Sequence, residues 1–374
     1  MSKSNETTPN VPTLRFTKYH DDWSLTMLSE ISNVVGGGTP DTSISSYWNG
    51  NIQWFTPTEV GHTKYVSCSA RTISELGLQK SSAKILPQGT VLLSSRATVG
   101  ESSIAQVECT TNQGFQSLIP KKNIYNEFLY YLTQTKKCHF IKYACGSTFL
   151  EISNSEIKKT KCCVPNFEEQ KRIANFLSLI DKKMEVQNKI ISQYETLIKG
   201  LSHAIFAKNK TNKIGDLVIC KTSNLQESSI INTNGKYAVY GASGIIAKID
   251  DYQFSNDAIL VLKDGSKVGK IQFATNKYSV VGTSSVLIPK EKSDSLYIYF
   301  AMTVIEFDKY KVGSGIPHVY YKDYCTEKIY YPCKPQRDKI TCMLRTIQNK
   351  LNIEKEILIK LQAQKAFLLS NLFI

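Results

Sequence analysis

Between Glu168 and Phe206 the apolar residues recur at alternating spacings of four and three. One row is Ile173, Ile180, Gln187, Tyr194 and Leu201; the other is Leu177, Met184, Ile191, Ile198 and Ile205. This is a heptad seam with a single polar break, at Gln187, and it predicts a long helix that pairs with another. Pro165 ends the preceding segment, and Glu168–Glu169 place negative charge at the helix start, where the dipole favours it. At a rise of about 1.5 Å per residue the helix is roughly 60 Å long, too long to be an ordinary core helix.

The C-terminal stretch supplies the partner. A shift of 167 positions, the distance from Pro165 to Pro332, carries Ile173 onto Ile340, Leu177 onto Leu344 and Ile180 onto Ile347. The same shift carries Met184 onto Leu351, Gln187 onto Glu354, Ile191 onto Leu358 and Phe206 onto Phe373. The polar break falls on a polar residue again, and the register holds without an insertion. The chain is therefore a tandem duplication in which each half ends in a long helix.

Ahead of each helix lie short β-rich runs separated by turn residues. In the first half these include YWNGNIQWF from Tyr47, GTVLLSSRATVGESSIA (Gly89–Ala105) as a strand pair, QSLIP, and the helical NEFLYYLTQTKK (Asn126–Lys137). The second half repeats the order in other words: a glycine-rich strand pair at Gly235–Asp250, DAILVLKDGSKVGKIQFA (Asp257–Ala274), SSVLIP, and the aromatic helix SLYIYFAMTVIEF (Ser295–Phe307). Around Gly100 and Gly269 the offset grows to 169, so the frameworks agree while the loops diverge. That is the pattern of one scaffold reading two different ligands.

The 374 residues carry 46 Lys+Arg against 32 Asp+Glu, a net charge of +14. Such a balance suits an anionic partner such as DNA, or serves solubility alone. The polar start MSKSNETTPN predicts no secretory signal and a disordered tail over residues 1–13. No apolar run approaches the ~18 residues of a membrane span. Ten cysteines without a CxxC pair or zinc spacing read as reduced thiols, which places the chain in the cytoplasm.

GGGTP followed by YWNGNIQW, then LLSSRATVG, TNQGF, GSTFLEIS and VPNFEEQKRIANFLSLID, resemble the specificity subunit of a type I restriction–modification system. The most specific element is the run P-x-x-x-E-Q-x-x-I-A-x-x-L-x-x-x-D over Pro165–Asp181. The second copy departs from it: CKPQRDKITCMLRTIQ has Gln336–Arg337 in place of Glu169–Gln170, and SGIPHVY replaces STFLEIS. The resemblance implies an α+β chain of two mixed α/β target-recognition domains, separated by two long antiparallel coiled-coil helices. The corresponding boundaries are 14–165, 166–208 for the central helix, 209–332, and 333–374 for the terminal helix. It implies that each domain reads one half of a split double-stranded DNA target while the helices set the spacing. It also implies docking of two adenine methyltransferase subunits, which would carry S-adenosylmethionine, and of restriction–translocation subunits. The specificity subunit itself would hold no cofactor and no catalytic site.

The residues read alone agree with the last point. No glycine-rich methyl-donor loop and no N-P-P-F/Y or D-P-P-Y tetrapeptide occurs. Pro332–Cys333 lacks the context of a cytosine-methylating nucleophile. Paired carboxylates with a lysine for a metal-dependent nuclease lie more than a hundred residues apart, at Pro40–Asp41 and Glu156–Lys158. KDGSKVGK lacks the spacing of a phosphate-binding loop, and no metal site is expected. A non-enzymatic coiled-coil scaffold with two β-rich domains for a non-DNA ligand remains the alternative.

Candidate DNA contacts are Thr39, Tyr47, Trp54 and Thr56 in the GTP…YW…WFT segment, the last tryptophan as a base-stacking or a core group. Arg96, one of six arginines, offers a bidentate fork or makes a surface ion pair. Asn112 and Gln113 could pair with adenine or cap a turn. Lys263 and Lys267 suit phosphate contact. Ser147, Thr148, Ser314 and His318 lie in glycine-containing loops where the backbone can approach phosphate.

Overall fold

The computed structural model describes residues 11–146, 150–207, 209–230, 234–313 and 315–374. The chain forms two compact units, Met1–Val186 with Ile359–Ile374, and Gln187–Leu358. Each unit contains part of each long helix. Of the tail expected at 1–13, residues 1–10 lie outside the described residues; Leu14 N–H already donates to Asn371 O at 2.9 Å.

Among the described residues, the first unit has a large sheet of five strands in the order Ser32–Gly36, Gln116–Pro120, Val91–Leu93, Ser102–Ala105 and Tyr65–Val66. Alternation decides what covers it. Val91, Leu93, Ile104 and Leu118 face the helix Asn126–Thr135, which buries Phe128, Leu129, Tyr131 and Leu132 on them. Leu92, Ala105 and Phe115 face the other way, onto Phe55 and Cys109 of a small sheet. In that small sheet the strand Trp48–Phe55 pairs antiparallel with Arg71–Ile73 and parallel with Cys109–Thr111.

The second unit repeats the plan. Its large sheet runs Val218–Thr222, Ser284–Pro289, Ala258–Leu262, Ile271–Ala274. Ile259, Val261 and Leu287 face the helix Ser295–Met302; Leu260, Val286 and Ala258 face Tyr240 and Tyr278. The small sheet again joins its middle strand, Tyr237–Gly241, antiparallel to Gly244–Ile249 and parallel to Tyr278–Val280. The duplication is thus one of topology as well as of sequence. The parallel edge strand Tyr65–Val66 has no counterpart in the second unit among the described residues.

The long helices are Phe167–Phe206 and Lys334–Leu372. In the first unit Ile173, Leu177 and Ile180 are buried with Leu368, Leu372 and Phe373, and Met184 packs on them. Asp181 Oδ1 holds Lys365 Nζ at 2.8 Å, and Tyr131 donates its hydroxyl to Asp181 Oδ2 at 2.5 Å. The aspartate that closes the motif therefore fastens the helix pair to the helix Asn126–Thr135. In the second unit Gln187, Ile191 and Phe206 are buried on one helix and Leu344 and Leu351 on the other. Ile347, Glu354 and Leu358 are half-buried there, and Lys355 Nζ reaches Glu195 Oε1 at 2.6 Å. In the first unit the start of Phe167–Phe206 packs with the end of Lys334–Leu372, and in the second its end, at Leu201 and Phe206, clusters with Ile340 and Leu344 near the other's start, so the pair is antiparallel. No helix of the described residues is long and apolar enough to cross a membrane.

The helix starts show what the departures at Gln336–Arg337 mean. Gln170 is buried, accepts Tyr125 N–H at 2.9 Å and donates Nε2 to Pro165 O at 2.9 Å. Arg337 donates Nη1 to Pro332 O at 2.6 Å and Nη2 to Asp294 Oδ2 at 2.9 Å. Glutamine and arginine cap the equivalent proline carbonyl and reach the equivalent short helix. The charge gained in the second copy is balanced by Asp294, which is 1% exposed. Glu169 is itself fully buried and accepts from Nε and Nη2 of Arg15, each at 2.8 Å, a bidentate pair in addition to its place at the helix dipole.

Candidate nucleic-acid interface

In the first unit the parallel strands Trp48–Phe55 and Cys109–Thr111 both run into loops at the same end of the small sheet. Thr56 follows one strand and Asn112–Gln113 the other. The glycine loop after Gly36 lies directly on them: a Cβ on Gly37 would stand 2.1 Å from Asn112 O, so only glycine fits. Thr39 Oγ1 donates to Gln113 Oε1, joining two of the candidates. The turn Ser94–Gly100 arrives at the same place, since Ser95 N–H donates to Gly114 O at 2.8 Å and Thr98 Oγ1 to Pro57 O at 3.3 Å.

These side chains differ in how much of their chemistry is left over. Asn112 Oδ1 accepts Gly114 N–H at 2.9 Å and caps its own turn. Thr56 donates both its hydroxyl, at 2.6 Å, and its backbone N–H, at 2.8 Å, to Glu59 Oε2. Trp54 is 4% exposed and donates its indole N–H to Gly38 O at 2.9 Å. Its ring is a core group that supports the Thr39 loop, and no face is open for a base. Tyr47 is half-buried and packs with the same tryptophans. Gln113 is exposed.

Arg96 is exposed and lies 3.7 Å from Glu151 Oε2, in a backbone bridge to the same residue. Glu151 in turn exchanges both backbone hydrogen bonds with Cys145, closing a short hairpin. In the second unit Asp264 bridges His318, and His318 exchanges both bonds with Val312. His318 Nδ1 and Asp264 Oδ1 are 2.6 Å apart, and the imidazole stacks on Tyr320. The frame is the same, but donor and acceptor have changed places. The turn carries the arginine and the hairpin the carboxylate in one unit; the turn carries the carboxylate and the hairpin the imidazole in the other. The turn also holds a left-handed residue in both units, Gly265 (φ 94°) and Ala97 (φ 63°), a strained conformation for alanine.

Lys263 is half-buried and held through its backbone to Thr283 O and Val319 N. Lys267 is exposed and reaches Ser243 Oγ at 3.3 Å, linking the turn to the strand pair of the small sheet. Ser147, Thr148 and Ser314 lie outside the described residues. Among the described residues no three His, Cys, Asp or Glu side chains gather as a metal site. Sequence reasoning did not identify Arg71, Glu151 or Asp264. The scarcity of arginine, which singled out Arg96, applied equally to Arg71.

A family model described as the type I restriction modification DNA specificity domain matches the chain twice, over residues 20–196 and 207–363. The MjaIX type I restriction enzyme specificity subunit of Methanocaldococcus jannaschii is 28% identical over 400 residues, covering 94% of this chain and 93% of its own. The EcoprrI specificity subunit of Escherichia coli is 20% identical over 359 residues, 88% of each. The crystal structure of a type I restriction–modification S subunit from M. genitalium superposes with a TM-score of 0.65 at 18% identity, over 97% of this chain and 99% of that one.

Proposed function

The chain belongs to the type I restriction–modification DNA specificity family, and on that premise we propose that each unit reads one half of a two-part double-stranded DNA target. The observation that carries this is a side-chain pair whose order is exchanged between the units. Arg96–Glu151 and Asp264–His318 occupy one place in a repeated frame with opposite order of donor and acceptor. Donors and acceptors are the currency of base reading in the major groove. A frame that repeats while they are exchanged is suited to two different half-sites.

The paired helices set the spacing between half-sites and dock two methyltransferase subunits, which carry S-adenosylmethionine, with restriction–translocation subunits joining them. Supporting this, the helices keep apolar side chains outside their seam: Leu179, Val186 and Ile359 in the first unit, Leu197, Ile353 and Ile357 in the second. Such residues on a water-facing helix side fit a partner surface. The chain itself performs no methyl transfer, and it acts in the cytoplasm.

The test exchanges residues 14–165 for those of a relative and maps methylated positions in cells with the complete system. One half of the target changes and the other persists. A change in both halves, or methyl transfer by the purified chain alone, defeats the reading.

A further inference from the structure

Of the six arginines, Arg15, Arg96 and Arg337 are paired with Glu169, Glu151 and Asp294, and Arg172 and Arg345 lie on the long helices. Arg71 is different. Its Cζ stands 3.6 Å from the ring centroid of Trp48 and 5.5 Å from that of Trp54. The tryptophans are edge to face, 5.0 Å apart, and both are buried. Arg71 is exposed, and among the described residues no carboxylate pairs with it. The carboxylates of the adjoining loops are occupied: Asp41 Oδ1 by Ser43 N–H and hydroxyl, Glu59 by Thr56 and by Ala70 N–H.

Its position is also fixed. Arg71 pairs with Trp54 across the small sheet, at the end from which Thr56 and Asn112 leave. The tryptophans under it hold the Gly38–Asp41 loop through their indole N–H groups, and that loop carries Thr39, bonded to Gln113. An uncompensated guanidinium, flat on a rigid indole, thus stands at the edge of the loop cluster.

Resting on the DNA reading above, we propose that Arg71 is a specificity-determining residue of the first unit, its fork reading a guanine edge in the major groove. A phosphate contact needs only a point charge, which this lysine-rich chain has in excess. Stacking on Trp48 adds what a phosphate contact does not use, a defined plane for two parallel hydrogen bonds. The second unit has a cation on an aromatic pair as well, Lys277 at 4.5 Å from Tyr252 and 5.7 Å from Tyr237. It stands just before the strand Tyr278–Val280, at the opposite end of its small sheet. The arginine platform is therefore particular to the first unit, as a reader of one half-site should be.

The experiment maps methylated positions in cells carrying the complete system with Arg71→Lys, Arg71→Ala or the unsubstituted chain. It then measures binding of the purified complex to duplexes bearing the mapped target at two salt concentrations. Arg71→Lys keeps the charge and loses the fork. One guanine position in one half of the target becomes degenerate, the other half is unchanged, and binding to the original target falls about ten- to hundredfold. An intact target with equal weakening on every duplex marks a phosphate contact and overturns the inference, as does an intact target with unchanged binding. If Arg71→Ala yields no complex, the lysine variant decides. Absence of any two-part target with the unsubstituted chain overturns the DNA reading instead, and this inference falls with it.

Discussion

Gln187 and Glu354, equivalent positions of the two copies, meet side chain to side chain: Gln187 Nε2 donates to Glu354 Oε2 at 2.5 Å and to Glu354 O at 3.0 Å. Equivalent residues of two repeats can face each other only where antiparallel helices share one layer as their common centre. Gln187 is 8% exposed, so the amide has left water for this contact. A buried polar pair of this kind is weak evidence for stability and better evidence for register.

Replacing both residues by leucine removes that polar layer and extends the apolar seam from Met184 and Leu351. The double variant should be more stable, by on the order of 1–4 kcal/mol, and melt at a higher temperature. The single Gln187→Leu, which leaves Glu354 facing a hydrocarbon, should melt lower. Calorimetry on the three proteins checks it; a double variant less stable than the parent contradicts the register reading.

Arg337 links a proline carbonyl to a buried carboxylate. Arg337→Ala leaves Asp294 with Lys334 and Tyr331 alone, and should cost about 3 kcal/mol. Arg337→Gln, which copies Gln170, restores the carbonyl cap but not the charge, so it should recover little unless Asp294→Asn accompanies it. Denaturant midpoints of the single and double variants give the coupling between the two sites.

Glu327 sets an acid limit on the second unit. Burial works against its charge, but hydrogen bonds from Tyr310, Lys309 and Lys210 outweigh it and hold the carboxyl at about 2, against an ordinary 4.5. A depressed carboxyl stabilises the fold fully above its unfolded value. Its contribution is lost as pH falls from about 4.5 through about 2. Glu327→Gln should lower stability at neutral pH and flatten the pH dependence over that window; a parallel loss at every pH counts against the assignment.

The cysteines divide by burial. All ten are free thiols, with Cys68, Cys138, Cys145, Cys333 and Cys342 exposed and Cys109, Cys162 and Cys163 buried. Burial pushes Cys109 and Cys162 up to about 12, so at neutral pH they hold almost no thiolate. A maleimide reagent on the folded chain should label the exposed five and spare the buried three, with peptide mass spectrometry as the readout. Early labelling of Cys109 would show that the sheet interface opens.

The helices, their seam, the duplication and the order of strands were legible in the sequence because each depends on local period or on a constant offset. A heptad keeps Leu177 and Leu344 on the buried stripe wherever the rest of the chain goes. Which loop residues stand together was decided only in three dimensions. The parallel pairing of Trp48–Phe55 with Cys109–Thr111 brings Thr39 to Gln113 across a separation of 74 residues. The β-bulge in Trp48–Phe55 and its cross-strand partner put Trp54 in the core and leave Arg71 outside on Trp48. Glu151 and Asp264 became visible as partners of Arg96 and His318 only once turn and hairpin were joined by backbone bridges. A periodic pattern specifies the face a residue takes on its own element. Its neighbour across a crossover depends on how the sheets close, and no local pattern encodes that distance.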